Sequence, residues 1–176
     1  STPRWNYAAG LEKKGTGTLT ITDTGSITAK DGTQDNNLRG SLTAMGHQGA
    51  GIGSRGTTDA TVHPQTENIT IAGNAYVNAY GNSGIGGGYN GNAQNIIMRD
   101  SAYVVAKGGT AGIGSGLYGG SSNVNIQGGT VVAEGIYTGI GGHYSDSDTS
   151  GATETSTIEI SGGTVYANGD TLNSRN

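Results

Sequence analysis

Apolar residues return along this chain in three short patterns that keep a fixed order. The triplet Gly-Ile-Gly stands at 51–53, 84–86, 112–114 and 139–141, with Gly10-Leu11 as a degenerate first member. A pair of apolar residues one position apart follows: Leu19 and Ile21, Ile69 and Ile71, Ile96 and Met98, Val124 and Ile126, Ile158 and Ile160. Then comes an apolar residue with Ala two positions later: Ile27 and Ala29, Val77 and Ala79, Val104 and Ala106, Val131 and Ala133, Val165 and Ala167. Alternation with a period of two is the mark of a strand with one face inward. Three such segments per unit, joined by turns, give a coil with three faces.

The anchors Leu11, Ile52, Ile85, Ile113 and Ile140 are spaced by 41, 33, 28 and 27 residues, so the bare unit is close to the shortest interval and the longer ones carry insertions. The insertions are read at 54–68 and 143–157, after Gly-Ile-Gly, and at 30–50, after Ala29. A propeller blade needs about 40 residues and four strands, more than this unit supplies. A β-sandwich does not repeat its own sequence. The pattern therefore predicts an all-β fold, a single-stranded parallel β-helix of about five coils with three short strands per coil. Its hand is expected to be right, as in nearly all parallel crossovers. Coils stacked about 4.8 Å apart would make a rod of roughly 20–25 Å. The expected organisation is an N-terminal cap or linker over 1–9, in which Trp5 and Tyr7 fold over the first coil, a β-helix over 10–170, and a tail over 171–176. The chain reads as a piece of a longer protein, with further domains of the same parent chain as neighbours.

The stretch "GNSGIGGGYNGNAQNIIMRDSAYVVAKGGTAGIGSG" resembles the Gly-Ile-Gly and "GGTVxA" repeats of β-helical modules in large surface-anchored proteins of Gram-positive and gut bacteria. The resemblance runs from about residue 10 to 170. It implies an adhesin-like or carbohydrate-binding module, extracellular, on a bacterial cell surface or secreted. It transfers no catalytic motif.

Composition changes this picture in two ways. With 35 Gly, no Phe, no Cys and one Trp, the core must close by stacking like on like rather than with large aromatic residues. A net charge of −4, with nine scattered Lys and Arg, argues against nucleic acid or an anionic membrane as partner, since both reward clustered positive charge. No apolar run reaches the ~20 residues of a membrane-spanning helix, so no membrane insertion is expected. No cofactor is called for.

Candidate chemistry gathers after each Gly-Ile-Gly. Three positions past the anchor lie Lys14, Arg55, Gly88, Gly116 and His143; four or five past it lie Tyr89, Tyr118 and Tyr144. Tyrosines along one edge of a solenoid offer a sugar-stacking surface, an apolar ring with a polar tip. The bland reading is that they cover the turn and pack on one another. Asp146 and Asp148, with Glu154, sit in the loop beside Tyr144, where they could bind ligand hydroxyls or a calcium ion or act as an acid/base pair; the loop lacks a calcium-loop pattern and reads first as a solvated acidic loop. The candidate ligand-binding residues are thus Tyr89, Tyr118, Tyr144, His143, Arg55, Asp146 and Asp148, with a glycan or a host or cell-surface ligand as partner.

Other constellations are read as structural. His47, His63 and His143 lack paired metal-ligand spacing, so no metal site is expected. Asn68, Asn95 and Asn123 precede the second strand in three units and read as amides bonding up and down a turn. The Thr-x-Thr run at 18–22 breaks off in the units above it, which removes an ice-binding array. Catalysis on glycosides needs two carboxylates facing a cleft, and the bare coils supply almost none. A part of a polysaccharide-degrading enzyme, whether a glycoside hydrolase or a lyase, and a passive spacer stand as alternatives to a non-catalytic binding module. The Gly-Ile-Gly triplet itself reads as scaffold, with Ile inward and the glycines leaving a bare outer strip.

Overall fold

The computed structural model describes residues 6–25, 39–142 and 155–169. Its strands are β1 (Leu11–Glu12), β2 (Leu19–Asp23), β3 (Ser41–Met45), β4 (Ile52–Gly53), β5 (Gln65–Gly73) and β6 (Tyr76–Gly86). They continue as β7 (Asn92–Met98), β8 (Tyr103–Gly114), β9 (Ser121–Gly135), β10 (Thr138–Gly141) and β11 (Thr155–Gly169). Every pairing between them is parallel, and each strand pairs with its counterpart one coil away. The chain is a parallel β-helix, as the repeat predicts.

The predicted columns are present. On the first face Leu11 pairs with Ile52, Ile52 with Ile85, Ile85 with Ile113 and Ile113 with Ile140. On the second face the Ile21, Ile71, Met98, Ile126 and Ile160 positions align likewise. On the third face Val77, Val104, Val131 and Val165 align, as do Ala79, Ala106, Ala133 and Ala167. In the three central coils these side chains are sealed: Ile85, Ile113, Ile96, Ile126, Val104 and Val131 have no exposed surface. Each such side chain contributes about 1.5–3 kcal/mol by leaving water.

Two expectations need correction. The Ile27–Ala29 pair, expected to form the first coil's third strand, lies outside the described residues. The strand that pairs with the third face of the second coil is β3, where Leu42 pairs with Val77 and Ala44 with Ala79. The insertion of the first coil therefore falls between its second and third faces, and Leu42 and Ala44, read as inserted sequence, are core. The three strands of a coil are also not always separate. β6 and β8 run from the third face into the first, and β9 and β11 from the second into the third, bending at register shifts such as the one between Gly81 and Ser83. The long strands follow from tight corners in which backbone pairing with the next coil never lapses.

The corners are made by residues that tolerate a left-handed backbone. Asn68 (φ 58°) and Asn95 (φ 52°) turn the chain into the second face, while Gly73 (φ 64°) and Asp100 (φ 62°) turn it out. Asn and Asp enter this region at lower cost than other residues with side chains. Asn95 Nδ2 donates to Asn68 Oδ1 at 2.5 Å, and Asn68 Nδ2 donates to the Thr16 carbonyl at 2.7 Å, so the predicted amide ladder spans two coils. Asn123 lies in β9, is exposed and has no positive φ.

The glycines of Gly-Ile-Gly do not leave an outer strip bare. Gly53, Gly86, Gly114 and Gly141 have φ between 131° and 142°, and a Cβ on Gly86 would stand 2.0 Å from the Gly114 carbonyl oxygen. The first glycines are equally enclosed, since a Cβ on Gly84 would meet Gly112 O and Lys107 N at 2.6 Å. In the second, third and fourth coils neighbouring backbone fills the space, so the triplet there is scaffold with no room for a ligand.

Residues 6–8, read as cap or linker, are bonded to the second coil: Gln48 N donates to the Asn6 carbonyl and Gly56 N to the Tyr7 carbonyl. At the other end, the inward positions of β11 stand open. Ile158 is 44% and Ile160 54% exposed, whereas their column mates Ile96 and Ile126 are fully covered.

Candidate functional site

The turn after Gly-Ile-Gly is built the same way in the third and fourth coils. Gly91 N closes back on the Gly88 carbonyl, and Gly119 N on the Gly116 carbonyl. Between those glycines lie Tyr89-Asn90 in one coil and Leu117-Tyr118 in the next. Asn90 and Tyr118 both have φ 62°, so Tyr118 stands over Asn90 rather than over Tyr89. The expected vertical row of tyrosines is therefore a diagonal contact. The Tyr89 and Tyr118 rings meet edge to face, with centroids 5.4 Å apart and planes at 76°.

A third ring joins them that the sequence reading had placed in the cap. Gly56 lies buried between Tyr7 and Tyr89, and a Cβ there would come within 3.0 Å of both side chains. Burial pushes the Tyr89 hydroxyl above the ordinary tyrosine value, and the neighbouring Tyr118 and Tyr7 hydroxyls add to the shift. All three tyrosines keep part of their surface exposed. Two backbone bonds and one side-chain bond fix the edge across coils: Asn90 N donates to the Leu117 carbonyl, Thr57 N to the Tyr89 carbonyl, and Asn90 Nδ2 to the Thr57 carbonyl. Arg55 is exposed beside this edge, its backbone pressed on Gly88, and Gly88 in turn on Gly116, so these three of the predicted third positions share a column. Lys14, in the first coil, pairs with Glu12 at 3.2 Å. Tyr144, His143, Asp146, Asp148 and Glu154 lie outside the described residues.

His63 Nδ1 donates to the Asn90 carbonyl at 3.0 Å, a structural contact. Among the described residues no three His, Cys, Asp or Glu side chains gather as a metal site would require.

The third face carries an aromatic group that the sequence reading passed over. Val77 and Ala79 point inward, so Tyr76, Asn78 and Tyr80 point outward, and the strands above repeat the arrangement in register. Tyr76 pairs with Tyr103, their ring centroids 5.3 Å apart and planes at 32°. Along the next outward columns lie Asn78, Val105, Val132 and Tyr166, then Tyr80, Lys107, Glu134 and Asn168. The signal is present in "AYVNAY" and "AYVVAK", where Tyr flanks the inward Val, but it has no period of its own from coil to coil.

A family model described as a beta helix repeat matches residues 158–173, which include most of the fifth coil's second and third faces. No curated protein and no solved structure matches the chain. Fold and repeat together define a β-helical module.

Proposed function

We propose that this β-helix is a non-catalytic recognition module that binds glycans through the Tyr89–Tyr118 edge, with Arg55 and the adjoining loops as further contacts. It would act outside the cell, on a bacterial surface or as a secreted piece of a larger adhesin-like protein. The observation that carries this reading is Tyr118. A bulky residue at φ 62° is an outlier that costs about 1 kcal/mol or more, and the coil below fills the same slot with Asn at no such cost. Strain of this kind collects where a side chain is wanted for contact. The ring it places beside Tyr89 is part apolar face and part hydroxyl, the combination that stacks on a pyranose while bonding its hydroxyls.

The test is a glycan-array screen of the chain, its Tyr118→Asn variant and its Tyr89→Ala variant. Asn fits the slot, as Asn90 does, so Tyr118→Asn should fold with an unchanged or raised melting temperature and lose glycan binding at least about tenfold. Binding that survives both substitutions would sink the proposal.

A further inference from the structure

The geometry points to a second binding surface, the outward side of the third face, that takes a neutral linear polysaccharide laid across the strands along the rod. This surface is separate from the Tyr89–Tyr118 edge and does not depend on it. It is made by β3, β6, β8, β9 and β11, five parallel strands whose outward residues fall in three straight columns.

The first column runs Ser41, Tyr76, Tyr103, Thr130, Thr164. Its two tyrosines, both half-exposed, are bounded below and above by small hydroxyl residues, so no bulky column neighbour covers the pair. Tyr80 stands four residues along β6 from Tyr76, and Tyr166, 62% exposed, projects from β11. Aromatic rings set among Ser, Thr and Asn side chains supply both surfaces that a sugar presents, an apolar C–H face and a rim of hydroxyls. The Tyr76 and Tyr103 rings, 5.3 Å apart and tilted by 32°, lean on one another and form one aromatic patch that spans two coils.

Charge selects the ligand class. Among the outward residues of these columns only Lys107 and Glu134 are charged, and they are paired, Nζ to Oε2 at 2.8 Å. Glu134 is the main reason that the Lys107 ammonium holds its proton more firmly than usual. The columns themselves therefore carry no net charge, and the Arg39 guanidinium at their edge is held on the Asn74 and Ser101 carbonyls. A uronic-acid polymer would find no unpaired cation, and a basic protein no unpaired carboxylate.

Affinity gel electrophoresis separates this site from the edge. The full chain is run through gels containing hydroxyethyl cellulose, galactomannan or polygalacturonate, beside Tyr76→Thr/Tyr103→Thr and Tyr118→Asn. Thr already occupies the same column in the fourth and fifth coils, so the double variant should keep its far-UV circular dichroism spectrum. The wild-type chain and Tyr118→Asn should be retarded by a neutral polymer, and the double variant should lose at least about tenfold in apparent affinity with the aromatic patch gone. Equal retardation of the double variant and the wild type would overturn the assignment. So would retardation by polygalacturonate alone, or by none of the three polymers. Loss in Tyr118→Asn with the double variant unaffected would place the ligand at the edge and overturn it too.

Discussion

Asn95 and Asn68 face each other across two coils, each with a left-handed backbone, joined by a side-chain hydrogen bond of 2.5 Å. The Asn side chain thus does two jobs at once, tolerating the corner and tying it to the coil below. Replacing Asn95 by Gly should remove the bond, worth about 0.5–1.5 kcal/mol, and leave the corner unstrained. Replacing it by Ala should remove the bond and add about 1–2 kcal/mol for a Cβ in the left-handed region. Urea denaturation should rank the midpoints Asn95 above Gly above Ala; an Ala variant as stable as the Gly variant would contradict the account.

Gly86 offers a sharper case, because its φ of 131° is joined to a lack of space. An added methyl would lie 2.0 Å from the Gly114 carbonyl oxygen. Gly86→Ala should cost about 2–5 kcal/mol, the sum of a backbone penalty and overpacking. Gly109→Ala is the control: that glycine is exposed and its nearest contact is 3.9 Å away, so the change should stay within about 0.5 kcal/mol. Thermal melts of the two variants give the comparison directly.

One column can be probed at its middle and at its end. Ile126 has no exposed surface, while Ile160, its partner one coil on, is 54% exposed. Ile126→Ala should cost about 2–5 kcal/mol, the usual range for emptying a sealed core site. Ile160→Ala should cost less than half as much, because its side chain leaves water only in part. Matching losses in urea midpoint would mean that the last coil is covered in solution.

Acid should weaken the first coil through Asp23. Its carboxylate accepts from Gly40 N at 2.9 Å and Gly25 N at 2.8 Å, and these bonds, the Gly40 one foremost, hold its pKa below the ordinary value, with Arg39 a smaller aid. A depressed pKa contributes stability that is complete above the ordinary aspartate value, near about pH 4, and is lost as pH falls through the folded value. The wild-type advantage over Asp23→Asn should therefore be present at neutral pH and shrink towards about pH 2. An advantage that does not change with pH would remove Asp23 from the acid response.

The fold was legible because each inward position repeats one residue type at one spacing: Ile85 over Ile113 and Val104 over Val131 are the same side chain in the same place. The first coil was misread where that redundancy fails. Ile27–Ala29 and Leu42–Ala44 both satisfy an apolar-x-Ala pattern, and only pairing with Val77 and Ala79 chooses between them. The Tyr89–Tyr118 contact was legible as a neighbourhood but not as a geometry, because an offset of four or five residues decides whether two rings share a column or meet diagonally. Tyr76 and Tyr103 were missed since outward positions vary from coil to coil and carry no period of their own. Their meaning comes from the inward residues on either side.

The 27-residue offset that sets Ile69 over Ile96 and Val77 over Val104 and Val104 over Val131 has a consequence for length. Because each coil meets only its two neighbours, every inter-coil boundary is interchangeable with the next. Copying one unit in tandem would lengthen the rod by a single strand spacing and leave all existing contacts in place. Reach and chemistry are thereby uncoupled in this molecule: the inward residues set how far it extends, and the outward ones are free to diversify coil by coil.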